Sequence, residues 1–136
     1  MHGKLKNANA SDIMNKSVVT VKEEENIEQV AKIMAEKRIG SVIVEDDSNE
    51  PKGIITESDV IRSIAKNGKN FFSMKALNVM SSPLITIIPS MDVEKVEKEM
   101  KRRNVKHLPV IISGRLVGIV TSIDVVTYLG KWEGHD

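Results

Sequence analysis

The octet GIITESDV at Gly53–Val60 returns as GIVTSIDV at Gly118–Val125. Five positions are identical, a sixth exchanges Ile for Val, and the Gly, Thr and Asp keep their register. The echo runs through the chain. SDIMNKSVVTV (11–21) aligns with LNVMSSPLITI (77–87), placing Met14 over Met80 and Thr20 over Thr86 at an offset of 66. NIEQVAKIMAEKRI (26–39) aligns with DVEKVEKEMKRRNV (92–105) at the same offset. Between Gly53 and Gly118 the offset is 65, so one residue is lost where EDDSNEPK meets ISGRL. A polar turn tolerates that change because its backbone is solvated. Self-similarity at a fixed period makes each repeat one supersecondary unit and ties its stability to its neighbour.

Each copy carries the same order of patterns. A short β-branched run comes first, SVVTV (17–21) or LITII (84–88), consistent with a strand. Ile27, Val30, Ala31 and Met34 then recur at helical spacing, as Val93, Val96 and Met100 do in the second copy, where Glu97 narrows the stripe. Two strands joined by a polar turn follow, SVIVE (41–45) with KGIIT (52–56), and HLPVII (107–112) with LVGIVT (116–121). A last helix starts just after each threonine. The fold class is therefore α+β, two β-α-β-β-α repeats. The expected organisation is an arm at 1–10, a first repeat at 11–65, a linker at 66–75 ending the preceding helix at Gly68, a second repeat at 76–129 and a tail at 130–136. A unit of about 50 residues removes too little apolar surface from water to be stable alone, so two copies are expected to share a core as a pseudo-twofold pair with equivalent clefts.

Composition removes several classes of function. Lys and Arg number 20 against 19 Asp and Glu, a net charge of +1 that gives no reason for a nucleic-acid or anionic-membrane partner. The local cluster KRRNVKH (101–107) keeps nucleic-acid binding as an alternative, but only Phe71, Phe72, Tyr128 and Trp132 are aromatic, too few for base-stacking platforms. No apolar run reaches the ~20 residues of a membrane span, and the polar start lacks a signal-peptide core, so a cytoplasmic address is expected. There is no cysteine, metal-ligand cluster, Walker-type glycine loop or nucleophile–base pair, so an enzyme is not expected, nor a catalytic cofactor or metal. A purely structural or dimerisation role is the remaining alternative.

The repeated Thr and Asp admit two readings. Thr56 and Asp59, like Thr121 and Asp124, have the spacing of a capping box, in which the hydroxyl and carboxylate satisfy amides of the first helical turn. The same geometry puts a hydroxyl, amide donors and a carboxylate at an anion-friendly helix start, suited to a phosphate and a vicinal diol. Capping alone leaves Gly53 and Gly118 without a role; a strand glycine marks a bulge or a close approach.

RIGSVIVEDDSNEPKGIITESDVI (38–61) and VKHLPVIISGRLVGIVTSIDVV (105–126) resemble the CBS domain, and the tandem resembles a Bateman module, from about Ala10 to Leu129. The resemblance implies a stand-alone regulatory pair that binds an adenine nucleotide, AMP, ADP or ATP, with S-adenosylmethionine or NAD as alternatives. It further implies a homodimer and an unknown regulated protein reached in trans. The resemblance implies that the aspartate of the motif takes the ribose and that the threonine approaches the phosphates. Carried over, Thr56 and Asp59 should face the strand SSPLIT (81–86), with Pro83 and Leu84, and Val105, Lys106 and His107, while Thr121 and Asp124 should face KSVVT (16–20), with Val18 and Thr20, and Ile39, Gly40 and Ser41. Lys106 and His107 would then make the Asp59 cleft the tighter one. Glu57, where many members carry a basic residue, favours AMP over ATP unless it points to solvent. Arg62 is a helix residue with a smaller claim on a phosphate, His2 and His135 read as solvated, and Trp132 has no firm reading. Ile61, Ile64, Val125 and Leu129 are expected at the dimer contact.

Overall fold

The computed structural model describes residues 8–133, the last three by backbone alone, so His2, His135 and the Trp132 side chain lie outside the described residues. Two compact units divide the chain, and their limits differ from those of the sequence repeats. The first unit is Val19–Leu84; the second joins the residues up to Val18 to those from Ile85 onward. Each repeat thus leaves its own leading segment in the other repeat's unit.

In the first unit, β1 (Thr20–Lys22), α2 (Ile27–Lys37), β2 (Ser41–Glu45), β3 (Pro51–Thr56) and α3 (Glu57–Asn67) follow the expected order. The helix α1 (Ala10–Ile13) precedes them in sequence and belongs to the second unit. β2 lies between β1, to which it is parallel, and β3, to which it is antiparallel. A single-turn helix, α4 (Ala76–Val79), closes this unit after a 3-10 segment, Gly68–Ser73. The second unit continues with α5 (Val93–Arg103), β4 (His107–Ile112), β5 (Arg115–Thr121) and α6 (Ser122–Glu133). Here the expected first strand is reduced to one parallel bridge, Ile87 to Val110. Pro83 and Pro89 bracket that run, and a proline has no amide with which to extend a ladder.

The two units repeat each other in detail. α2 ends at Arg38 with φ 54° and α5 at Asn104 with φ 55°, left-handed residues that stop both helices alike. The hairpins carry their register shift at equivalent places, Val44/Glu45 and Val110/Ile111. The shorter second hairpin turns through Ser113 (φ 51°) and Gly114 (φ 76°), the paired positive angles that suit the twist of two strands.

All the buried apolar side chains among the described residues except Ile43 and Ile119 fall into two clusters, one in each unit. Ile27, Val30, Met34, Val42, Val44 and Ile55 build the first with Phe71. Val93, Val96, Met100, Leu108, Val110, Val120 and Val125 build the second. Phe71, in what reads as a linker, is among the largest fully buried side chains, so this segment is part of the core. Val125 is buried, which corrects its assignment to a dimer contact, while Leu129 is half-buried and packs on the same cluster. Among the described residues, the large apolar side chains left in water on the last helices are Ile61 (68% exposed), Ile64 (42%), Ile123 (69%) and Val126 (62%).

The exchanged segments explain the two glycines. Asn15 and Ile119 trade backbone bonds of 2.8 and 3.0 Å, and Ser81 and Ile54 trade bonds of 2.8 and 3.1 Å. Each crossing brings a methionine and a carbonyl onto the glycine. A Cβ on Gly53 would lie 2.6 Å from the Met80 sulfur and 2.8 Å from the Ser81 carbonyl oxygen; one on Gly118 would lie 2.8 Å from Met14 Cγ and 3.1 Å from the Asn15 carbonyl oxygen. The methionines can move, but the Ser81 carbonyl is held in a bridge. Gly53→Ala should therefore cost about 1–3 kcal/mol in urea denaturation, and Gly118→Ala less, from overpacking. Gly130, in α6 with nothing within 4 Å, should instead gain about 0.5–1 kcal/mol on substitution by Ala. Equal, small effects at all three positions would remove the close approach as the reason for the repeated glycine.

Candidate functional site

Thr56 ends β3 and caps α3, because its extended backbone (φ −108°, ψ 168°) leaves the side chain over the first helical turn. Its Oγ1 accepts from the Asp59 amide at 3.2 Å, while Asp59 Oδ2 accepts from the Thr56 amide at 2.9 Å and from the Thr56 hydroxyl at 3.1 Å. In the second unit Thr121 Oγ1 accepts from the Asp124 amide at 3.3 Å, and Asp124 Oδ2 accepts from the Thr121 amide at 2.8 Å and hydroxyl at 3.0 Å. Matching distances differ by about 0.1 Å, so both helix starts are reciprocal capping boxes. Capping and ligand binding are therefore not exclusive: each box commits one carboxylate oxygen and leaves the other.

The remaining oxygens differ. Asp59, buried at 7% exposure, accepts at Oδ1 from the Ser81 hydroxyl at 2.9 Å, and Arg62 Nη1 stands 3.8 Å away. Arg62 itself is 75% exposed, so this ion pair is weak. Asp124 is half-buried, and its Oδ1 has no further hydrogen bond among the described residues.

Strand pairing sets the neighbours of each helix start. Ser41 stands opposite Thr56, and the Glu57 amide donates to the Gly40 carbonyl at 3.1 Å. His107 stands opposite Thr121, and the Ser122 amide donates to the Lys106 carbonyl at 3.0 Å. Within the units, Gly40 and Ser41 thus adjoin the Thr56 box, and Lys106 and His107 adjoin the Thr121 box. Ile39 packs on the first core and Val105 on the second. Ser81, Pro83 and Leu84 belong to the unit of Asp59. Val18 is half-buried at the limit of the second unit, and Thr20 is exposed on β1. The Glu57 side chain is exposed.

Sequence reasoning faced Asp59 with the strand that begins at Ser81, but did not assign the Ser81 hydroxyl to its carboxylate or foresee the contact of Arg62 with Asp59. The signal for Ser81 lies in the alignment, where it falls under Asn15, a different hydrogen-bonding group. Among the described residues no group of three or more His, Cys, Asp or Glu side chains is placed to hold a metal ion, and no helix is long and apolar enough to cross a membrane.

The family model of the CBS domain matches residues 10–66 and 76–131. A protein of Methanopyrus kandleri, MK0525, is 32% identical over 123 residues, which are 90% of this chain and 63% of that protein. A homoserine O-acetyltransferase of Methanosalsum zhilinae is 33% identical over 130 residues, 95% of this chain but 25% of the enzyme. The chain therefore spans less than two thirds of either relative. Among solved structures, the CBS domain pair of protein MJ0100 in complex with 5′-methylthioadenosine and S-adenosyl-L-methionine superposes with a TM-score of 0.83 at 29% identity. That superposition covers 91% of this chain and 97% of the other.

The capping boxes set a stability expectation that is independent of any ligand. Thr56→Ala and Thr121→Ala should each lower the unfolding free energy by about 0.5–2 kcal/mol, while Thr→Ser at either site should cost far less. Urea denaturation followed by circular dichroism reads both, and an Ala variant as stable as wild type would mean that the box adds nothing to the helix start.

Proposed function

The chain belongs to the CBS-domain family, and from that premise we propose that it is a regulatory module that senses an adenosine-containing ligand and changes its association with a partner protein. The observation that carries this is the duplicated Thr–x–x–Asp helix start, built twice to within about 0.1 Å. A carboxylate there accepts from ribose hydroxyls, and the first-turn amides and threonine hydroxyl suit a phosphate or another electron-rich group. The complex of the MJ0100 pair with two adenosine compounds supports the same ligand class. AMP, ADP and ATP are the first candidates, with S-adenosylmethionine and NAD beside them. Thr56, Asp59, Thr121 and Asp124 are the central residues of the proposal. Pro83, Leu84, Val105, Lys106, His107, Val18, Thr20, Ile39, Gly40 and Ser41 complete it.

Sensing requires that the ligand prefer one arrangement of the protein to another, since equal affinity for two states shifts neither. No acyl transfer is assigned to this chain, because the acetyltransferase likeness takes in a quarter of that enzyme and overlaps both CBS matches. A thermal-shift screen against AMP, ADP, ATP, S-adenosylmethionine and NAD should raise the melting temperature with at least one of them. Stabilisation follows RT ln(1 + [L]/Kd), so ligand at 100 times Kd adds about 2.7 kcal/mol. A flat response to all five compounds would sink the proposal, as would a steep, salt-dependent affinity for DNA or RNA in their place.

Self-association is the second part. Ile61, Ile64, Ile123 and Val126 are large apolar side chains left in water on the last helix of each repeat, and burying them against a second copy would remove that exposure. Light scattering at micromolar concentration should give a dimer mass, and Ile61→Lys and Ile123→Lys should each shift it toward monomer. A monomeric wild type under those conditions would contradict the homodimer.

A further inference from the structure

The two helix starts share one pinned oxygen and differ in the other. At Asp124 the oxygen left over, Oδ1, has no hydrogen bond among the described residues. At Asp59 the equivalent oxygen already holds a hydroxyl, that of Ser81, at 2.9 Å. A ribose offers the same group. For the diol to reach Asp59, one hydroxyl–carboxylate bond must break for each that forms, and the group displaced is tethered to the site by its own chain.

A local cause sits two residues beyond Ser81. In the second unit its counterpart, Asn15, turns its own Oδ1 onto the Ser17 amide at 2.9 Å, a short Asx turn that keeps this side chain off Asp124. The counterpart of Ser17 is Pro83, which has no amide to offer. Ser81 is denied the local bond and takes the carboxylate. Arg62 stands 3.8 Å from the same oxygen, and Thr127 takes its place in the other copy. Lys106 and His107 adjoin Thr121, not Thr56, in the strand register.

We propose that the two sites are unequal because the Ser81 hydroxyl stands in for a ribose hydroxyl on Asp59, leaving Asp124 to take the first ligand. This rests on the adenosine-sensing reading and deepens it: Ser81 is a specificity-determining residue, an internal competitor set in place by Pro83. It also reverses the order of affinity expected when Lys106 and His107 are assigned to Asp59.

Isothermal titration with AMP and, separately, with 5′-methylthioadenosine tests it on the full chain. Wild type should bind about one equivalent tightly, and Asp124→Asn should weaken that binding by about tenfold or more, the loss of a hydrogen bond to a charged acceptor. Ser81→Ala should raise the stoichiometry toward two, whereas Ser81→Thr, which keeps the hydroxyl, should stay near one. The double variant Ser81→Ala/Asp124→Asn should keep one equivalent at the opened Asp59. Circular dichroism melts identify any variant that fails to fold, and Asn15→Ser with Ser17→Pro, which rebuilds the Ser81 arrangement at Asp124, then supplies the independent readout: weaker tight binding. Two equal sites in wild type, or Ser81→Ala that binds one equivalent more weakly, would overturn the inference while leaving adenosine sensing intact. Absence of binding by both wild type and Ser81→Ala with both probes would overturn the sensing reading and this inference with it.

Discussion

The close approach of a backbone segment to a strand with no side chain at the contact is the constraint on which each unit depends. Gly53 and Gly118 stand where the leading segment of the other repeat crosses, and the space a Cβ would fill is taken by Met80 with the Ser81 carbonyl, or by Met14 with the Asn15 backbone. Two bridging hydrogen bonds fix each crossing. The short helices that enter these segments are tied down in the same manner: the Ala10 amide donates to Met91, and the Ala76 amide to Glu25, each at 2.8 Å. Both alanines are fully buried. Neither repeat completes its own unit, so the duplication is a structural necessity.

That crossing also brings a polar residue to the start of the last helix. Ser81 follows Met80 directly, so the contact that packs the methionine on Gly53 delivers the hydroxyl to Asp59. The same relation holds between Met14, Gly118 and Asn15, but there the amide side chain is retained by Ser17. The packing of the glycine and the hydrogen bonding of the helix-start carboxylate are thus coupled through one residue step. Two units with matched capping boxes acquire different chemistry from a serine–asparagine exchange and one proline.

Much of this was legible before any coordinates. The strands SVIVE and HLPVII, the helices α2 and α5, and the helices that begin after Thr56 and Thr121 all lie where periodicity and capping spacing put them. These signals are local: alternation, helical spacing and an N-cap are recorded within a few consecutive residues. The misreadings were long-range. The segment LITII is β-branched, yet makes a single bridge beside Pro89. Phe71 reads as linker, yet fills the core. Val125 reads as surplus apolar surface but is core, while Ile123 and Val126 on the same helix face water.

The amino-acid sequence by itself determined the repeat, the β-α-β-β-α order, the capping residues and the position of a glycine in each copy, because each of these depends on neighbours close along the chain. Only the tertiary structure decided which segment lies on that glycine, and that the Ser81 hydroxyl is the group bonded to Asp59. Those outcomes follow from contacts between residues about 20 to more than 100 positions apart, where side-chain shape and the presence or absence of a single amide hydrogen select the partner.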